Sequence, residues 1–279
     1  MVPKSIPTCL APMALIALLF AAPAQAQQPC AAGPAPAAAA NAASLTTIAW
    51  APFGRAETGW ETYAPAIARK IATTCAPATP RFAAQLAKWQ AAHRLPPTGL
   101  VDAPTFEAIS KQIQSRRPYV ALRAGGTCPA APEPDRLTVA RPVEGYLGKR
   151  IVVRPAALAA YRRMVAAARF AVPGLRSDAR WLSIFSGFRD PAADAARCAT
   201  EGNCQGITRA KCSAHRTGLA FDLYVGESPG FGPDNTADGN RRVMVKTSAY
   251  KWLLANAGKF GFVNYPFEPW HWEWTGEQP

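Results

Sequence analysis

A glycine- and proline-rich stretch at 117–140, carrying Gly125-Gly126, Pro129, Pro132 and Pro134, cuts this chain in two. Such a stretch has too little apolar patterning to share a core with its flanks, so two modest folded units are expected rather than one. A length of 279 residues suits that division. An Ala/Pro-rich stretch at 27–55 reads as a second linker. The expected organisation is therefore a leader at 1–26, a linker at 27–55, a small three-helix domain at 56–116, a linker at 117–140 and a larger domain at 141–279. With 49% apolar and 18% charged residues, the chain is not a wholly disordered one.

The leader has the marks of a secretory signal. Lys4 precedes an apolar run from Leu10 to about Ala22, and Ala24-Gln25-Ala26 supplies a small-x-small cleavage pattern. The run falls short of the roughly 20 residues of a spanning helix, and no other stretch is long enough, so the mature chain is expected to be exported, periplasmic or secreted, with no membrane span. Cys9 leaves with the leader. Cys30, Cys75, Cys128, Cys198, Cys204 and Cys212 remain, an even set that favours disulfides in an oxidising compartment. The sequence does not select the pairing; Cys30–Cys75, Cys128–Cys212 and Cys198–Cys204 is the expected one. A zinc site from Cys198, Cys204 and Cys212 is the alternative, although its spacing lacks a C-x2-C knuckle. The formal charge of +13 points to an anionic partner: nucleic acid, a membrane surface or an anionic cell wall. Export and the lack of an aromatic-basic RNA motif argue against nucleic acid.

In the first unit, Phe82, Leu86, Trp89 and Gln90 recur at helical spacing up to His93, which reads as a surface residue at a helix end. Leu95-Pro96-Pro97-Thr98-Gly99 breaks that helix. Asp102 is a good N-cap for the next, with Pro104 in its first turn and Phe106 and Ile109 on its apolar side. The run from Phe82 through Lys88-Trp89-Gln90, Leu95-Pro96-Pro97-Thr98-Gly99-Leu100-Val101-Asp102 and Phe106 to Ile109 resembles the peptidoglycan-binding domain found beside many wall hydrolases. That resemblance implies peptidoglycan as partner.

In the second unit, Pro155 opens a helix to about Ala171, with Leu158, Tyr161, Met164, Val165 and Ala168 on one side. Strands are expected at 181–186, 219–225 and 271–274, and a helix at 248–257. Strands and helices without βαβ regularity define an α+β fold.

Only three histidines occur in the chain, and two sit in dense polar and aromatic clusters: Ser213-Ala214-His215-Arg216-Thr217-Gly218-Leu219-Ala220-Phe221-Asp222 and Glu268-Pro269-Trp270-His271-Trp272-Glu273. Gly218 supplies a bend, so His215 precedes the strand that carries Asp222. Along that strand Leu219, Phe221 and Leu223 share the core face, while Ala220 and Asp222 share the other, with room beside the carboxylate for a metal. Two histidines and an aspartate fill three positions of a catalytic zinc site and leave the fourth for water, whose pKa falls to roughly 7. Glu268 is placed to act as base, and Arg189 follows a strand end from which it reaches a developing oxyanion. Glu273 shares the strand face of His271 and is able to orient it, though a solvated carboxylate is the plainer expectation.

The segments Ser186-Gly187-Phe188-Arg189, Ser213-x-His215-x-x-Gly218-x-Ala220-x-Asp222, Trp252-Leu253 with Asn256-Ala257 and Phe260-Gly261-Phe262, and Glu268-Pro269-Trp270-His271-Trp272 resemble the VanY-type D-alanyl-D-alanine carboxypeptidases of the LAS group of zinc peptidases. The resemblance implies a small antiparallel sheet with flanking helices. It implies one Zn2+ held by His215, Asp222 and His271, Glu268 as general base, Arg189 on the oxyanion or the substrate carboxylate, and Ser213 and Trp270 at the substrate. The family often has a glutamine soon after its Ser-Gly-Tyr-Arg segment; Asp190-Pro191-Ala192-Ala193-Asp194 stands there instead. Removal of a terminal D-alanine from peptidoglycan stems by a monomeric enzyme is the expected activity. A peptidoglycan endopeptidase, such as one cleaving L-Ala-D-Glu, and a non-catalytic wall-binding protein are the alternatives.

Overall fold

Prolines and short polar caps decide where the helices of this chain begin. The computed structural model describes residues 30–202, 204 and 212–276, so the expected leader, 1–26, lies outside the described residues. Helix α1 (Ala35–Thr47) is followed by a two-stranded antiparallel ribbon, β1 (Ala49–Trp50) and β2 (Glu57–Thr58), and then by α2 (Ala64–Lys70), α3 (Pro80–Ala92) and α4 (Ala103–Gln114). Thr79 accepts from the Phe82 amide and Asp102 from the Thr105 amide, each satisfying a first-turn N–H that the helix leaves free. Trp60, Tyr63, Ile67, Phe82, Leu86, Phe106 and Ile109 form the core of this unit. Buried Gln90 donates to Leu100 O and Thr105 Oγ1 and accepts from the Gly99 amide, which fastens the Pro/Gly loop to α3.

The 27–55 stretch differs from the expected linker. From Cys30 onward it belongs to the helical unit: α1 lies along α3, and Asn41, fully buried, donates to Gly99 O and accepts from the Val101 amide. Alanine is the strongest helix former, and its small side chain lets α1 approach α3 without adding hydropathy, so composition alone reads it as a spacer.

The 117–140 stretch also has structure of its own. It contains α5 (Pro118–Arg123), and β3 (Thr138–Val139) pairs antiparallel with β4 (Val152–Val153), so the second unit starts before residue 141. Then come α6 (Pro155–Ala171), β5 (Ile184–Ser186), α7 (Pro191–Glu201), β6 (Ala220–Leu223), α8 (Asp238–Met244), α9 (Ser248–Asn256), β7 (Phe262–Asn264) and β8 (His271–Trp274). The last four-stranded sheet has the order β5-β6-β8-β7 and is antiparallel throughout. The fold is α+β, as expected. Strand β5 is shorter than the 181–186 run, because Leu182 takes φ +65° and turns the chain before Ile184.

Leu158, Tyr161 and Met164 of α6 share the second core with Phe221, Leu223 and Trp272 of the sheet. Alternation then turns Asp222 and His271 to the opposite face. The disulfides are Cys30–Cys75, Cys128–Cys212 and Cys198–Cys204, so all three cysteines of the alternative zinc site are taken up in disulfides, two with each other and Cys212 with Cys128. Among the described residues no helix is long and apolar enough to cross a membrane.

Candidate active site

The register of β6 and β8 builds the site. Asp222 lies directly opposite His271, and Ala220 opposite Glu273. His215 enters from a short 3-10 turn, Ala214–Thr217, that Ser213 caps by accepting the His215 amide. Gly218 closes that turn at φ +71°, a conformation that favours glycine, and a Cβ there would press on Arg154 and Leu137. One candidate ligand atom from each of His215, Asp222 and His271 lies within 4.8 Å of the others, and all three residues are buried.

The donor set fits a metal ion. His215 Nδ1 is 2.7 Å from Gly187 O, so that nitrogen donates and Nε2, 3.1 Å from Asp222 Oδ2, keeps its lone pair toward the site. His271 Nδ1 is 2.9 Å from Asp222 Oδ1, while its Nε2 is 3.3 Å from Glu273 Oε1. Each imidazole is thus held from behind by an oxygen acceptor, which fixes ring orientation and tautomer. Two nitrogens and one carboxylate, with a side left open to a cleft, is the donor set of a catalytic zinc centre.

The buried groups also perturb one another. Burial pushes His215 down to about 4, helped by the charge of Arg189. Burial opposes charge on His271 as well, but its hydrogen bonds to Asp222 and Glu273 prevail and hold it at about 9. Burial also works against the Asp222 carboxylate, yet the two histidines keep it well below the ordinary range.

Glu268 sits on the turn between β7 and β8, where its amide donates to Tyr265 O and its own carbonyl accepts from the His271 amide. Its Oε2 is 3.8 Å from His271 Nδ1, and burial lifts its carboxyl to about 7. Arg189 follows β5; its Nε donates to Ser186 Oγ at 3.0 Å and its Nη2 reaches Asp222 Oδ2 at 3.2 Å. Ser213, Arg189, His215, Asp222, Glu268 and His271 line one cleft of about 640 Å³. Trp270 also touches that cleft, but its indole is 2% exposed and packed into the core.

Glu273 differs from the solvated carboxylate expected. It is 1% exposed, and although burial opposes its charge, Arg117 and His271 hold it at about 2. Its partner Arg117, together with Tyr119 and Arg123 of α5 and Phe53 of the helical unit, forms the cleft wall that sequence reading missed. No local pattern in the sequence signals these residues.

Two histidines, an aspartate and a buried glutamate thus converge in one cleft over the antiparallel sheet of an α+β domain, and the first three are able to hold a metal ion. Residues 150–277 match the VanY family, described as D-alanyl-D-alanine carboxypeptidase, and this part of the chain is a VanY-type domain. A solved structure of the LdcB LD-carboxypeptidase, described as revealing the molecular basis of peptidoglycan recognition, is similar at 26% identity over 53% of this chain and 72% of that one, with a TM-score of 0.39. No curated protein sequence matches the chain.

Proposed function

We propose that this chain is an exported, zinc-dependent D-alanyl-D-alanine carboxypeptidase that trims peptidoglycan stem peptides. The observation that carries this reading is Glu268, buried and 3.8 Å from His271 in the same cleft as the three candidate ligands of a VanY-type domain. A site that merely stored a metal has no use for a buried base there.

Zn2+ held by His215, Asp222 and His271 would supply an acidified water and a polarised scissile carbonyl. The chain's own groups do the rest. Glu268 takes a proton from the attacking water as its oxygen bonds to the carbonyl carbon. Glu268 then returns that proton to the leaving amine of the terminal D-alanine as the C–N bond breaks. A carboxyl lifted to about 7 by burial is matched to both halves of that transfer at neutral pH. Arg189 offers its guanidinium edge to the oxyanion or to the terminal carboxylate. Ser213 borders the substrate, with Trp270 packed behind the cleft wall. The net charge of +13 and the small helical unit suit an anionic wall, with the helical unit holding peptidoglycan while the cleft cuts. The disulfides are consistent with an oxidising compartment.

Mass spectrometry of purified muropeptides, incubated with mature protein with and without chelator, tests the reading. Loss of one terminal alanine, abolished by chelator and restored by Zn2+, is the expected result. Two stem fragments instead would make the chain an endopeptidase. No zinc-dependent product would leave a wall-binding protein.

A further inference from the structure

The connection between the two units does more than join them. Arg117, the residue before α5, reaches across to the catalytic sheet. Its Nε and Nη2 both lie 2.6 Å from Glu273 Oε1, and the two side chains are 6% and 2% exposed. The Tyr119 amide donates to the other oxygen, Glu273 Oε2, at 2.9 Å. Glu273 Oε1 in turn meets His271 Nε2 at 3.3 Å. The Arg117 guanidinium is itself held by Gln114 Oε1 at 3.2 Å and lies 4.1 Å from the centroid of the Tyr265 ring. Three of these groups, from Gln114, Arg117 and Tyr119, lie within residues 114–119, and the residues they organise lie at 265–273.

We propose that Arg117 is a positioning residue of the active site, acting through Glu273 to fix the orientation and tautomer of His271. The physical reason is the ring of His271, which has two nitrogens and a choice of which faces the cleft. A carboxylate behind Nε2 accepts a hydrogen bond from Nε2–H and leaves the Nδ1 lone pair toward Asp222 and the open side. That carboxylate is useful only while it stays charged and stationary. Buried at 1% exposure it needs a charged, forked donor and a second hydrogen bond, and Arg117 and the Tyr119 amide are those partners. A lysine cannot reproduce the two-pronged contact. The helical unit and its connection therefore complete the site in cis, and the VanY-type domain alone, 150–277, lacks one of its supports.

This inference rests on the proposed metal site, and the test separates the two. The probe is Zn2+ alone, titrated into the metal-free mature chain against a competing chelator, for wild type, His215→Ala, Arg117→Ala, Arg117→Lys, Glu273→Gln and the Arg117→Ala/Glu273→Gln pair, with circular dichroism to check folding. If wild type and His215→Ala bind Zn2+ alike, the site reading itself fails. If wild type binds through His215, the expected result is an affinity about 10–100-fold weaker in Arg117→Ala and in Glu273→Gln, a partial recovery in Arg117→Lys, and no further loss in the double variant. On a stem peptide, kcat falls and KM stays near the wild-type value. A folded Arg117→Ala with wild-type Zn2+ affinity overturns the proposal, as does a rise in KM alone, which would make Arg117 a substrate contact. Losses that add in the double variant overturn it too. Should Arg117→Ala not fold, Arg117→Lys and Glu273→Gln decide by the same titration.

Discussion

Arg241 of α8 and Glu57 of β2 are 184 residues apart in sequence and 2.7 Å apart in space, with side-chain exposures of 0% and 2%. The same guanidinium donates to Tyr63 Oη at 3.0 Å and to Phe267 O at 3.2 Å, the carbonyl next to Glu268. The pair thus fastens the helical unit to the loop that carries the proposed base. Removing one partner strands the other charge away from water. Arg241→Met is expected to cost about 3–5 kcal/mol, measured as a lower urea midpoint. The double change Arg241→Met/Glu57→Leu is expected to cost less than the single one, because it leaves no uncompensated charge. Equal losses in both would mean the pair contributes through shape alone.

Glu144 gives a pH signature distinct from the active site. It accepts from Arg162 Nε at 2.7 Å and Nη2 at 2.9 Å, and from Arg141 Nη2 and the Arg141 amide at 2.7 Å. Burial opposes its charge, but these donors hold the carboxyl at about 2, against an ordinary 4.5. A depressed folded-state value means the stabilisation is complete above the unfolded value and is lost as pH falls from about 4.5 to about 2. Both arginines are well exposed, so solvent screening reduces the gain. Glu144→Gln is expected to lose about 1–2 kcal/mol at pH 7 and nothing near pH 2. Thermal unfolding of both proteins across that range measures it; a pH-independent gap would show that charge is not the cause.

Much of the site was legible because its logic is local. Gly218, the alternation through Asp222 and the scarcity of histidine were enough to bring His215, Asp222 and His271 together on one face, and Pro155 set the start of α6. What escaped was non-local or carried by small residues. Helix α1 buries only Ala38 and Asn41 against the helical unit, too little to leave a periodic apolar signal. Arg117 and Tyr119 stand in a stretch whose glycines and prolines read as a tether, and their partner Glu273 is 156 and 154 residues away. A charge pair that distant leaves no spacing in the sequence to find.

The Cys128–Cys212 disulfide closes a loop of 84 residues between the connecting segment and the residue before Ser213. Tyr119 Oη also donates to Cys212 O, so α5 is tied twice to the chain entering the His215 turn. Loop closure of that length stabilises by about 4.6 kcal/mol in the chain-entropy model. Cys128→Ser/Cys212→Ser is expected to lower the melting temperature and, by freeing one wall of the cleft, to raise KM for a stem peptide more than it lowers kcat. Calorimetry and steady-state kinetics on the double variant measure both. An unchanged KM would mean the Arg117 and Tyr119 contacts with Glu273 hold the wall unaided.

Glu268 gives the sharpest functional expectation, because two properties of the same carboxyl must change together. As the proposed base it would work only when ionised, so kcat/KM should fall on the acid side. Burial sets its value at about 7, and a dication beside it would lower that value, so the acid limb is expected at or below about pH 7. Glu268→Gln keeps the size and the burial but cannot accept a proton. It is expected to reduce kcat by about 10²–10⁴-fold while Zn2+ still binds, since Glu268 is not among the three candidate ligands. The same substitution should remove the acid limb from whatever activity remains. Kinetics from pH 5 to 9 alongside a Zn2+ titration of the variant test both, and full activity with an intact limb would transfer the role of base to another group.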